Sequence, residues 1–245
     1  MIADIRTVMW KEWKELIALR SSTRGGWLSL LFSVAILGIV PPLQMGPASL
    51  ESPTLLAFAG WLPLMMVSSL VADSFAGERE RHTLETLLAS RLPDRAILLG
   101  KVGAAVGYGW GIALATLLLA LVTVNLAYPG EGLLFFSPLI GLGSAVVGLL
   151  TAGLAAGAGV LVSLRAPTVR QAAQTMRFAS ILLMLVPLFG GRVLPAAWQA
   201  GLLVTLVTLG GTNVLLTGIG VLILLDVVLL AAAMARFQRA RLILD

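Results

Sequence analysis

The residues capable of chemistry are few in this chain of 245 residues, and they are unevenly placed. His82 is the one histidine and there is no cysteine. A lone histidine argues against a serine–histidine triad or a His-based metal centre, and the lack of cysteine excludes Cys-containing zinc sites, thiol nucleophiles and disulfide scaffolds. Gly100-Lys101 is followed by Val102 and lacks the upstream Gly, so it is not a phosphate-binding loop. What remains is one dense charged run, Asp73 to Lys101, with five basic and five acidic residues, and one isolated acid, Asp226. No catalytic, cofactor-binding or metal-ligating set is predicted.

The elements that position these residues follow from composition. Apolar residues make up 58% of the chain and charged residues 12%, with a mean hydropathy of +0.98. A soluble domain carries about 25% charged residues, so a soluble enzyme is excluded. The formal net charge of +5 points to nucleic acid only if the charges form a binding face. They do not. They fall at 1–24, 73–101, 164–177 and the C-terminal tail, separated by stretches whose only basic residue is Arg192.

A helical crossing takes about 20 apolar residues, and Lys and Arg near its ends are retained on the cytoplasmic side. The sequence therefore predicts crossings over Trp27–Met45, Thr54–Ala72, Ile97–Leu126 and Pro138–Ser163. Pro41, Pro42, Pro47, Glu51 and Pro53 are expected to form the first outer loop, and Tyr128 to Gly132 the second. After Arg177 three apolar pieces remain: Phe178–Phe189, Trp198–Leu209 and Val214–Ala235. Both flanks are basic, so the number of full crossings must be even, and the short middle piece, set off by Gly190, Gly191, Pro195, Gly210 and Gly211, is expected to be re-entrant or interfacial. The expected fold is an all-α polytopic membrane protein, one domain over 1–245. It has six transmembrane helices, both termini cytoplasmic, a cytoplasmic segment at 73–95 and an outer re-entrant segment at 190–212. The first 24 residues are too charged for a cleavable signal peptide.

Residues 1–24 read as an amphipathic helix, with Ile2, Ile5, Met9, Trp13, Leu16 and Ile17 on one face. Trp10, Lys11, Glu12, Trp13 and Lys14 place it in the inner headgroup layer, either as a plain anchor or also as a contact surface for a cytoplasmic partner. In the apolar stretches, Gly103, Gly107 and Gly111, and Gly153 with Gly157, recur at the spacing that lets helices approach closely, more simply within one chain than across a dimer seam. Pro63 and Pro187 are potential kinks. Asp226 lies near the middle of the last crossing, where two readings stay open: it acts on substrate or protons, or it is neutralised or hydrogen-bonded against a neighbouring helix.

The charged run predicts a helix from Glu78 to Ser90, with an Arg81–Glu85 pair, an apolar face of Leu84, Leu87 and Leu88, and a stop at Pro93. Apolar toward the bilayer and charged toward the cytosol, such a helix suits a groove on a soluble protein; the plainer reading is a solvated connector. Here the sequence resembles a family. Gly77-Glu78-Arg79-Glu80, Thr83-Leu84-Glu85, Leu87-Leu88-Ala89-Ser90 and Ile97-Leu98-Leu99-Gly100-Lys101 are similar to the signature of ABC-2-type transporter permeases, with His82 where Gly is usual and Arg91 where Pro is common. Trp10-Lys11-Glu12-Trp13-Lys14-Glu15-Leu16 resembles that family's opening.

The resemblance implies the membrane subunit of an ABC exporter of the type V fold, not an enzyme by itself. ATP and magnesium would be held by a separate ATPase subunit, and a second permease copy or sibling would complete the pathway. It implies a coupling helix docking on the ATPase, carried here by Glu78, Arg79, Glu80, Thr83 and Glu85. With no charged cluster in the membrane, a hydrophobic or amphipathic substrate is expected. The other reading is a permease-like regulatory or anchoring subunit. The bilayer is a partner, nucleic acid is not, and the expected location is the plasma (inner) membrane.

Overall fold

The structure, a computed structural model, describes residues 1–22, 24–81, 83, 91–193 and 195–237. Among them there are helices and turns and no strand. Helix α1 covers Ile2–Ser22 and α2 covers Arg24–Met45, followed by a 3-10 turn at Gly46–Leu50. Helix α3, Thr54–Ala72, runs on through a π-helical turn at Asp73–Gly77 into one α-helical turn at Glu78–Glu80. Then come α4 (Asp94–Ala127), α5 (Pro138–Ser163), α6 (Val169–Val193) and α7 (Ala196–Arg236).

Among the described residues, five stretches are long and apolar enough to cross a membrane: Trp27–Leu50, Thr54–Glu80, Asp94–Ala127, Pro138–Ser163 and Thr208–Arg236. The further crossing expected over Phe178–Phe189 lies within α6, which carries Arg170, Arg177 and Arg192 and is not among the five. The break expected near Gly210 is present. There the backbone leaves helical geometry (φ 73°, ψ 153°), a left-handed conformation that glycine tolerates, and α7 divides into two helices.

The connection expected to form the first outer loop is tighter than the sequence predicts. Helix α2 continues through Pro41 and Pro42, and the following 3-10 turn folds inward, with Ser49 and Leu50 buried. The second is a 3-10 turn at Pro129–Glu131, closed by the Asn125 amide. Its Nδ2 donates to the Leu134 carbonyl (3.0 Å), and its Oδ1 accepts from the Leu134 N–H (2.9 Å).

The core forms around α3, which packs most extensively against α5 and also meets α4 and α6. Val67, Val71, Phe75, Ile97, Leu98, Ala155, Ala156 and Val160 are fully or almost fully buried there. Small residues make this closeness possible. A side chain at Gly148 would meet the Ala59 carbonyl at 3.0 Å, and one at Gly157 would meet Leu229 at 2.9 Å. Some hydroxyls inside the helices donate to the carbonyl one turn back, as in Thr116 to Ile112 (2.9 Å) and Ser180 to Met176 (2.8 Å), which satisfies them without water. Leu118, Val122, Leu126, Leu142, Leu224 and Val227 are exposed, an apolar exterior suited to lipid.

Candidate functional site

Lys101 lies two turns into α4, inside the apolar run Ile97 to Val102, and its side chain is 1% exposed. A buried ammonium needs partners, and four acceptor positions supply them. Its Nζ is 2.7 Å from Glu78 Oε1, 2.8 Å from Glu12 Oε1, 3.0 Å from Ser74 Oγ and 3.2 Å from the Ser74 carbonyl. Glu12 Oε2 accepts a hydrogen bond from Ser74 Oγ at 3.1 Å. On the outer side Lys11 Nζ is 3.3 Å from Glu12, 3.1 Å from Glu15 and 3.5 Å from Glu78. Glu12 and Glu78 thus stand between two ammoniums, and these four charges cancel.

Local backbone geometry makes the cluster possible. Gly100 leaves room for α1: a Cβ there would lie 2.5 Å from the Val8 Cβ and 3.1 Å from the Ile5 carbonyl. Met9 and Trp13 continue this contact over Gly103 and Gly107 of α4, so these two glycines serve packing within the chain; nothing lies close to Gly111. The π turn at Asp73–Gly77 is an irregularity of a kind common at functional sites. It presents Ser74 and Glu78 to Lys101, and Phe75 lies under the same ammonium, 5.5 Å from ring centroid to Nζ.

Burial pushes the Glu12 carboxyl up, but the adjacent Lys101 charge and hydrogen bond, followed by Lys11, hold it below the ordinary 4.5. Burial likewise lowers Lys11, yet Glu12, Glu15 and Glu78 outweigh it and hold the ammonium above the ordinary 10.5. Both residues of α1 therefore stay charged at neutral pH.

The residues after the π turn reach other helices. Arg79 Nη1 donates to the carbonyl of Leu164, the C-cap of α5, at 3.0 Å. Glu80 Oε2 accepts from the N–H of Val169, the first residue of α6, at 3.2 Å, a favourable place for a carboxylate. Phe75 packs edge-on against Phe237 at the end of α7, with centroids 5.7 Å apart. Eight residues, 73–80, thereby touch or brace α1, α4, α5, α6 and the end of α7.

The predicted residues fall into three groups. Lys11, Glu12 and Glu78 share the cluster around Lys101, and Arg79 is half-buried beside it. Glu80, Arg81 and Thr83 are exposed, as are Trp10, Trp13 and Lys14, with the Lys14 ammonium 5.2 Å from the Trp10 ring centroid. Asp226 stands apart on α7, against α5: a Cβ at Gly153 would lie 2.9 Å from its Oδ2.

Two expectations for the charged run are corrected. The helix expected from Glu78 to Ser90 is interrupted after Glu80, where Arg81 leaves helical geometry (φ −87°, ψ 1°), and Glu78 and Arg79 point into the bundle rather than toward solvent. Arg81 pairs with Asp73 at 3.2 Å. Glu85, its expected partner, lies outside the described residues, as do His82, Leu84, Leu87, Leu88, Ala89 and Ser90.

Lys101, the centre of the candidate site, is the residue that sequence reasoning missed. It was visible only as the end of a motif, although a lysine embedded between Gly100 and Val102 in an apolar run signals a buried partner.

No sequence among curated proteins matches the chain significantly. A family model does, described as ABC-2 type transporter, over residues 3–199. This covers α1, the charged run and the whole cluster around Lys101, and leaves Asp226 outside. A match over most of the length, on a chain of apolar membrane-length helices, carries the conclusion that the protein belongs to the ABC-2 type transporter family.

Proposed function

We propose that this ABC-type permease is driven by separate ATP-binding subunits, which hold ATP and magnesium, and that it works as a pair with a second copy or a sibling. In this reading α1, the 73–95 segment and both termini face the cytoplasm, and Phe178–Phe189 is the fifth of six crossings. Residues 190–212, which include the Gly210 break, form an outer re-entrant segment. The direction is export, and the substrate is hydrophobic or amphipathic, since the crossings carry Asp226 as their one acid and no cluster of charge.

The observation that carries the reading is the joining of the 73–80 segment to the rest of the bundle. Glu80, Arg81 and Thr83 are exposed at its tip, while Glu78 at its base is tied to Lys101 and Glu12. Force applied at the tip by a closing pair of ATPases reaches α1 and α4 through charge-assisted hydrogen bonds, not through a loose linker. Breaking one partner of such a buried pair costs about 3–5 kcal/mol, so the joint holds under load.

Affinity capture of the full-length protein from its native membrane tests this. A nucleotide-binding protein with a phosphate-binding loop should co-purify, and Arg81→Glu should weaken its retention. Absence of any such protein overturns the proposal. Retention with no ATP-driven substrate movement after reconstitution favours the regulatory or anchoring role.

A further inference from the structure

The charges on α1 are not equivalent. Asp4 pairs with the terminal ammonium of Met1 at 2.9 Å, and Lys11, Glu12 and Glu15 are all engaged around the Lys101 cluster. Arg6 and Lys14 have no carboxylate partner among the described residues. They sit one turn before and one turn after Trp10, on the face opposite the buried Val8 and Glu12. Trp10 is 63% exposed, and Ile2 and Ile17 extend the same apolar strip.

An open groove of about 590 Å³ runs along this face, bordered by Ala3, Arg6, Thr7, Met9, Trp10 and Trp13. Met9 and Trp13, on one side of it, rest on Gly103 and Gly107 of α4. The groove therefore offers the Arg6 guanidinium and amphipathic rings on α1, with the Lys14 ammonium on the Trp10 ring at its border, next to a helix long and apolar enough to cross the membrane.

We propose that this groove binds the headgroup of an anionic phospholipid. Arg6 supplies a planar fork for the phosphate. Lys14, held over Trp10, supplies the second positive charge that separates an anionic from a zwitterionic headgroup, and the acyl chains lie against Trp10, Trp13 and Ile17. The inference rests on the reading that α1 lies along the membrane surface, and commits it to a lipid class.

The test uses the full-length protein in bilayer nanodiscs, with phosphatidylglycerol or phosphatidylcholine brominated in the acyl chains as quenchers of tryptophan fluorescence. The Trp10 signal is taken as the difference between the unsubstituted protein and Trp10→Phe. The expected result is preferential quenching by phosphatidylglycerol, equivalent to a binding preference of about five-fold or more. Arg6→Gln with Lys14→Gln should bring that preference to unity while quenching by phosphatidylcholine persists.

Equal quenching by both lipids in the unsubstituted protein overturns the headgroup site and leaves the surface placement of α1 standing. No quenching of Trp10 by either lipid overturns both. An unchanged preference in the double variant, with weaker capture of a nucleotide-binding protein, also overturns the site and assigns these cations to a protein contact.

Discussion

The Lys101 ammonium donates to the Glu12 carboxylate at 2.8 Å, joining residues 89 positions apart, and both side chains are almost wholly buried. The contact connects the first helix to the base of α4, and Glu78 closes it from the third side. Removing the lysine leaves two carboxylates whose remaining counter-charge is the half-exposed Lys11, 3.3 Å from Glu12 and 3.5 Å from Glu78. Removing one carboxylate leaves the lysine still paired with the other.

Lys101→Met should therefore destabilise the detergent-solubilised protein by about 3–5 kcal/mol, as expected for a buried pair losing one member, whereas Glu12→Gln should cost less. In a double-mutant cycle read by thermal unfolding, the two should couple by about 1–3 kcal/mol. Additive effects would show that the contact is not energetic.

The pH profile has two limbs. Glu12 is held below its ordinary 4.5, so the stability it contributes is present above that value and is lost as pH falls through the lowered folded pKa. Lys11 is held above its ordinary 10.5, so its contribution is present below that value and is lost as pH rises through the raised folded pKa. Melting temperature should be level between the limbs. Glu12→Gln should flatten the acid limb, and an unchanged acid limb would assign it to other carboxylates.

Gly100→Ala opposes two effects. Alanine favours a helix by about 1 kcal/mol over glycine, but its Cβ would lie 2.5 Å from that of Val8, a branch point that cannot swing aside. Overpacking of this kind costs about 1–3 kcal/mol, so a net loss of stability is expected. Val8→Ala in the same chain should recover part of it. A stabilised Gly100→Ala would mean that α1 does not sit against α4 as described.

Asp226 offers a different contrast. Its Oδ1 is buried without a hydrogen-bond partner among the described residues, and it packs on Gly153, apart from the Lys101 cluster. A carboxylate at mid-membrane costs about 2.5–3.5 kcal/mol on insertion scales. Asp226→Asn should raise the melting temperature and leave ATPase stimulation and transport unchanged. A large loss of transport in a stable variant would make the carboxylate functional.

The helical pattern was legible because bilayer thickness and charge exclusion act on stretches long enough to read. Thr54–Ala72 and Pro138–Ser163 begin and end where the charges and turn residues say they should. Gly210 was readable as a break because only a few residue types accept its backbone angles. The charged run was readable as the important segment but not as a shape. Periodicity alone carried the helix unbroken across Arg81 and turned Glu78 outward, because nothing local announces a π turn or a partner such as Glu12 arriving from far away in the chain. The Lys101 cluster depends on three segments meeting, and pairings of that kind leave only the weak trace of a charge where apolar residues are expected.

The π turn at Asp73–Gly77 also fixes how many residues this part of the chain must contain. Each residue of an α-helix advances the direction of side chains by about 100°, so deleting one position between 73 and 77 would swing Glu78 away from Lys101 and carry Arg79 and Glu80 off the ends of α5 and α6 together. Substitutions there act on one contact at a time, whereas a single-codon deletion would misalign them all. The turn at Pro129–Glu131 is closed by the Asn125–Leu134 pair alone among the contacts described above and should accept a change of length more readily. Tolerance to one-residue insertions and deletions, mapped along the chain, would therefore mark this stretch more sharply than any map of substitutions.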